Sequence, residues 1–212
     1  MTRIKICGNT NIEDVKAAVS YGADALGFIA VPESPRFISG PSYQRLSQAV
    51  WSNLAGPFVL PVIVAKAFEL DLMENYSPRC LQCYEGGLAV NDHELRLIKA
   101  FRVQDERSLK EIERFRGRVH AIFLDAYHKD KLGGAGETFD WNLAVEAKKL
   151  TDKPIILAGG LTPENVQDAI AKVRPYAVDV ASGVEAEPGR KDHGKLKAFI
   201  HAVREWDLKY AD

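Results

Sequence analysis

Short apolar stretches return along this chain at intervals of roughly 25 residues, and the segments between them carry apolar residues three and four positions apart. Strand-like stretches cover residues 3–8, 25–30, 58–64, 80–84, 98–103, 121–125, 154–158 and 177–181. Helical patterns cover 12–19, 42–54, 67–75, 90–98 running into the next strand, 108–115, 141–150, 166–173 and 193–205. Thr10-Asn11-Ile12-Glu13 has the spacing of a capping box, and Thr162-Pro163 reads as a helix start with proline in the first turn. Strand and helix in strict alternation is the rhythm of a parallel sheet, and eight such units predict a closed (β/α)8 barrel, one α/β domain over residues 1–212. The rival is an open doubly wound sheet. Its usual G-x-G-x-x-G after the first strand is absent, because Cys7-Gly8-Asn9-Thr10 stands there.

A chain that is 46% hydrophobic and 27% charged can bury one core of that kind. Its formal charge of -1 gives no basic field for nucleic acid or an acidic membrane, so a small molecule is the expected partner. Three cysteines do not make a disulfide framework, and the N-terminus lacks a signal-peptide or membrane-span pattern; a cytoplasmic setting is the expectation.

Barrels of parallel strands place catalytic groups at the C-terminal strand ends, and often hold phosphate with the loops after strands seven and eight. Those loops begin here with Gly159-Gly160-Leu161-Thr162 and Ser182-Gly183. A single glycine reads as a turn. Glycines at two adjacent barrel positions, one ahead of a helix, read as a cradle of backbone N–H groups for phosphate. Three side chains fall on the same rim: Cys7 after strand one, Arg36 after strand two and Asp125 closing strand six, a set suited to base, anion clamp and acid. Each has a plainer alternative: a packed thiol for Cys7, a solvated charge for Arg36, a loop cap for Asp125. His128 is a rival base. Cys80 and Cys83, three apart on a strand, face opposite sides and suit packing better than a metal, and the histidines form no ligand cluster.

Lys5-Ile6-Cys7-Gly8, Gly22-Ala23-Asp24-Ala25-Leu26-Gly27-Phe28, Ser34-Pro35-Arg36, Leu124-Asp125-Ala126, Gly133-Gly134 with Gly136, Phe139-Asp140-Trp141, Leu157-Ala158-Gly159-Gly160-Leu161, and Asp179-Val180 with Ser182-Gly183-Val184-Glu185 occur in this order. With them the chain resembles the phosphoribosylanthranilate isomerases of tryptophan biosynthesis almost from end to end. The resemblance implies an Amadori rearrangement of N-(5'-phosphoribosyl)anthranilate with no cofactor and no metal. It implies Cys7 as the base that takes the C2' proton, Asp125 as the acid that protonates the ribose ring oxygen, and Arg36 at the anthranilate carboxylate. Gly159, Gly160, Ser182 and Gly183 match the phosphate loops, Asp179 lies near the sugar, and a homodimer is left open. One departure stands out: where the family commonly has Gln-Leu-His-Gly, this chain has Gln82-Cys83-Tyr84-Glu85, so the pocket wall near strands three and four is expected to be rebuilt. The histidine-pathway aminoaldose isomerases run the same rearrangement with two aspartates, and Cys7 argues against that assignment. The alternative of another class is a phosphosugar-binding barrel without turnover.

Overall fold

The computed structural model describes residues 1–51, 59–86, 94–126 and 138–210. Eight parallel strands close into a barrel in chain order: β1 (Arg3–Ile6), β2 (Ala25–Ile29), β3 (Leu60–Ala65), β4 (Cys80–Cys83), β5 (Arg96–Val103), β6 (Ala121–Ala126), β7 (Ile155–Leu157) and β8 (Ala177–Val180). The expected (β/α)8 class is therefore the observed one. Around the strands, among the described residues, lie the helices α1 (Ile12–Tyr21), α2 (Gly40–Trp51), α3 (Leu70–Tyr76), α4 (Glu106–Arg114), α5 (Trp141–Lys149), α6 (Val166–Val173) and α7 (His193–Lys209). Of the helical pattern expected over residues 90–98, residues 90–93 lie outside the described residues. Its expected end does not exist as helix, because Arg96 and Leu97 pair with Cys80 and Leu81 and begin β5 two residues early.

Strand alternation sorts the side chains into two cores. Ile4, Leu26, Phe28, Ile63, Leu124 and Leu157 point outward and pack under the helices, each with almost no exposure. A fully buried Phe28 is worth about 2–3 kcal/mol by area. The other face fills the barrel with Val62, Val64, Cys80, Ile98, Phe123 and Ile156, with Cys7 at its upper end. Cys80 thus faces the interior and Cys83 the helices, as their spacing requires, and burial pushes both thiols up to about 12.

Two helix starts differ from the sequence reading. The cap of α1 is Asn11, whose Oδ1 accepts the Asp14 N–H at 2.9 Å, because Thr10 Oγ1 is drawn away to donate to the Gly189 carbonyl at 2.6 Å. Thr162-Pro163 lies in a turn ahead of α6: Asn165 Oδ1 accepts the Thr162 N–H at 2.8 Å and delays the helix to Val166. After β8 the chain makes a short 3-10 turn (Ser182–Val184) and a hairpin of β9 (Glu185–Glu187) and β10 (Arg190–Lys191), which the periodicity does not reveal. This hairpin folds back over the barrel mouth toward the β1 end, where Gly189 meets Thr10.

Candidate active site

A cavity of about 820 Å³ opens at the C-terminal ends of the strands, a size suited to a sugar phosphate bearing a ring. Cys7, Arg36, Asp125, Gly159, Gly160, Asp179, Ser182 and Gly183 all line it. His128 and the glycines at 133, 134 and 136 lie outside the described residues.

Cys7 continues β1 by one residue, its N–H donating to the Val180 carbonyl at 2.8 Å. Two residues earlier on the same inward face is Lys5, and β8 brings Asp179 into register with it, Nζ 2.6 Å from Oδ1. Gly27 of β2 leaves the room: a Cβ there would stand 2.6 Å from Cys7 Sγ and 3.1 Å from Lys5 Nζ. Burial pushes the Cys7 thiol up, and the Lys5 ammonium pulls it back down without cancelling the rise. Burial would lower Lys5, yet the charges of Asp179 and Cys7 outweigh it and hold Lys5 protonated. Lys5 is the cation beside Cys7 that the sequence reading left out. A buried lysine two positions before a strand-end cysteine is the signal that could have found it.

Asp125 is 4% exposed on the inward face of β6. Burial raises its carboxyl from the ordinary 3.8 to about 6, the nearby charge of Asp179 adding to the rise while bonds from Tyr84 and the Ala126 N–H oppose it. The carboxylate is desolvated and lines the cavity, and the loop that it would cap, residues 127–137, lies outside the described residues.

Arg36 is not a solvated charge. The loop after β2 is pulled back onto the sheet by the Ile38 N–H, which donates to the Ile29 carbonyl at 3.0 Å, and Arg36 ends up 8% exposed. Glu185 accepts from Nε at 2.9 Å and from Nη2 at 2.6 Å. The same carboxylate takes Lys191 Nζ at 3.0 Å, and Lys191 also donates to the Cys7 carbonyl. Burial would raise Glu185; the bonds from Arg36 and the charge of Lys191 reverse this and hold it ionised. Gly8, at φ +76°, gives the Arg36 stem its path, since a Cβ there would lie 2.7 Å from Cδ.

The loops after β7 and β8 meet. A Cβ on Gly183 would strike the Leu161 carbonyl at 2.0 Å, so the two glycine turns form one surface. The N–H groups of Gly160 and Gly183 have no acceptor among the described residues, which suits them to an anion. Gln82 completes the wall, 1% exposed, with Oε1 unpartnered among the described residues.

A family profile described as N-(5'phosphoribosyl)anthranilate (PRA) isomerase matches residues 4–202. The chain belongs to the phosphoribosylanthranilate isomerase family. The N-(5'-phosphoribosyl)anthranilate isomerase of Geotalea uraniireducens is 44% identical over 210 residues, covering 96% of this chain and 99% of that one. That of Pseudomonas fluorescens is 43% identical over 208 residues, covering 95% and 98%. The crystal structure of phosphoribosyl anthranilate isomerase from Thermotoga maritima superposes with a TM-score of 0.84 at 38% identity, covering 97% of this chain and 100% of that chain. A second isomerase structure, in complex with reduced 1-(o-carboxyphenylamino)-1-deoxyribulose 5-phosphate, gives a TM-score of 0.79 at 36% identity, covering 97% and 100%. In this phosphoribosylanthranilate isomerase barrel the departure at Tyr84 has a structural content: its hydroxyl donates to Asp125 Oδ2 at 3.0 Å.

Proposed function

We propose that this chain converts N-(5'-phosphoribosyl)anthranilate to 1-(2-carboxyphenylamino)-1-deoxyribulose 5-phosphate in tryptophan biosynthesis, by general acid–base catalysis. The observation that carries the reading is a desolvated carboxyl and a thiol under the influence of a buried lysine, lining one cavity with the two glycine loops. The Asp125 O–H protonates the ring oxygen as its bond to C1' breaks, and the nitrogen lone pair closes a C1'–N double bond. Thiolate at Cys7 then removes the C2' proton, the electrons flow to the nitrogen, and the enolamine tautomerises to the ketose. Hydrogen lost at C2' is balanced by hydrogen gained at C1', so the reaction is an isomerisation without net redox change. Each proton transfer is worth roughly 10²- to 10⁴-fold.

Gly159, Gly160, Ser182 and Gly183 hold the phosphate, and Asp179 sits beside the sugar and orients Lys5. Arg36 keeps one guanidinium nitrogen, Nη1, clear of the Glu185 bonds for the anthranilate carboxylate. Glu185 stops that arginine from swinging away. A homodimer forms part of the reading, supported by a dimeric relative from Thermotoga maritima whose monomers have been solved; a monomer mass in sedimentation would remove it. The wider reading is one catalytic domain in the cytoplasm, and no described helix is long and apolar enough to cross a membrane.

The test is a steady-state assay with phosphoribosylanthranilate, alongside growth of a tryptophan auxotroph. Turnover lost in Cys7→Ser and in Asp125→Asn, with product-analogue binding kept, supports the roles. Near wild-type rates in either variant would sink them, and folded wild-type protein that binds the analogue without turnover would favour the binding barrel.

A further inference from the structure

Tyr84 follows β4 on the cavity wall, held from both neighbouring strands. Its N–H donates to the Lys66 carbonyl after β3 at 3.1 Å, and its own carbonyl accepts Lys99 Nζ of β5 at 2.7 Å. The Arg102 guanidinium, also of β5, lies 5.6 Å from the ring centroid. Backbone and ring are therefore fixed before the hydroxyl is considered. The hydroxyl is at the edge of an open cavity, yet it donates to Asp125 Oδ2 at 3.0 Å.

We infer that Tyr84 is a positioning residue for the acid: by occupying Oδ2 it leaves Oδ1 as the oxygen that carries the Asp125 proton and delivers it to the substrate. The inference rests on the functional reading above, in which Asp125 is the acid. A neutral carboxyl has one O–H. With the Oδ2 lone pair that faces the ring already accepting the Tyr84 O–H, the carboxyl proton belongs on Oδ1. Burial, and then the charge of Asp125, push the Tyr84 hydroxyl well above its ordinary 10, so it keeps at working pH the proton that it offers to Oδ2. The other charged or titratable groups around the acid are Lys5 and Cys7 on β1, Lys66 after β3, Arg102 on β5 and Asp179 on β8, while Lys99 of β5 reaches the Tyr84 carbonyl instead. Gly27, Val64 and Ala158 of the remaining strands bring no charge. Among the described residues Tyr84 is the side chain that hydrogen-bonds the Asp125 carboxyl, with the Ala126 N–H as a backbone donor to it. The bond favours the ionised acid, so it also limits how far burial can raise it.

The test follows the Asp125 carboxyl by carbon-13 NMR, assigned by its loss in Asp125→Asn, together with the acidic limb of the kcat/KM profile. In Tyr84→Phe the titration midpoint and the limb both move up by roughly one pH unit, the scale of one hydrogen bond to a charged group. KM changes little, because the ring and its neighbours stay. With 3-fluorotyrosine incorporated at position 84 the more acidic hydroxyl donates more strongly, and the midpoint moves down instead. A folded Phe variant with unmoved midpoint and limb overturns the inference, as do two variants that shift in the same direction. Absence of turnover in the wild type would instead bring down the functional reading, while the carboxyl titration would still decide whether Tyr84 governs Asp125.

Discussion

Lys5 and Asp179 face each other across the seam where β8 closes on β1, Nζ 2.6 Å from Oδ1, with 3% and 7% of their side chains exposed. A buried pair like this costs desolvation, so its worth lies in what it positions. Here the ammonium also serves Cys7. Lys5→Met should slow alkylation of Cys7 by iodoacetamide more than tenfold at pH 8, and destabilise the fold by about 3 kcal/mol through the orphaned Asp179. Adding Asp179→Asn should recover stability in urea melts without recovering the thiol. Unchanged alkylation in a folded Lys5→Met protein would remove Lys5 as the counter-cation.

The acid and the base have their proton affinities in reverse order. Asp125 titrates at about 6 and Cys7 above the ordinary thiol value of 9.0, while turnover needs the first protonated and the second ionised. Below pH 6 the rate rises tenfold per unit as thiolate forms. Between the two values the gain in thiolate cancels the loss of acid, and above the Cys7 value only the loss remains. The kcat/KM profile is expected to be a plateau whose acidic limb belongs to Asp125 and whose basic limb belongs to Cys7. If lowering the thiol affinity by selenocysteine at position 7 moved the acidic limb and spared the basic one, this assignment would be wrong.

Asp125 should also cost stability. Its folded value lies above the unfolded 3.8, so the folded state binds the proton more tightly. That contribution is complete below pH 3.8 and is lost as pH rises through about 6. At pH 7.5 the ionised, buried carboxylate leaves a deficit of about 2–3 kcal/mol. Asp125→Asn should therefore abolish turnover and raise Tm at pH 7.5, with the gain shrinking toward pH 4. Equal melting temperatures at both pH values would contradict the desolvated carboxyl.

Gly27 has a steric role that can be separated from backbone flexibility, because a methyl there would sit 2.6 Å from Cys7 Sγ. Gly27→Ala should push the thiol off its position and lower kcat by about 100-fold, the order expected for a displacement near 1 Å. KM should stay within a factor of about 3, since the phosphate loops are untouched. A normal kcat would show that Sγ has room elsewhere.

Arg36 and Glu185 are expected to act on affinity. Arg36→Ala should raise KM by 10-fold or more while kcat falls less, in steady-state kinetics with phosphoribosylanthranilate. Glu185→Gln leaves Lys191 buried without its counter-charge and should lower stability by about 3 kcal/mol as well as raising KM. An unchanged KM in Arg36→Ala would take Arg36 out of the substrate clamp.

Much of the barrel is written in local pattern. Val62 and Val64 alternate with outward Ile63, and the helix of residues 166–173 shows its buried stripe at Val166, Ala169, Ile170 and Val173, because period-two and period-3.6 burial leave marks within a few neighbours. Cys7 and Asp125 were legible as strand-end groups for the same reason, and the glycine loops as turns at known barrel positions. Helix starts were less so, since Asn11 caps α1 only because Thr10 is claimed by Gly189, 179 residues away.

By itself, then, the sequence determined the alternation, the rim on which Cys7, Arg36 and Asp125 stand, and the family. Tertiary structure decided their chemistry. Arg36 is bound to Glu185 across 149 residues, Lys5 to Asp179 across 174, and Tyr84 to Asp125 across 41. Proton affinities depend on which charges and donors closure of the barrel brings within about 3 Å of a desolvated group. Strand alternation puts Lys5 on the face of Cys7, but no local periodicity encodes the Asp179 carboxylate that closure of the barrel sets against that lysine.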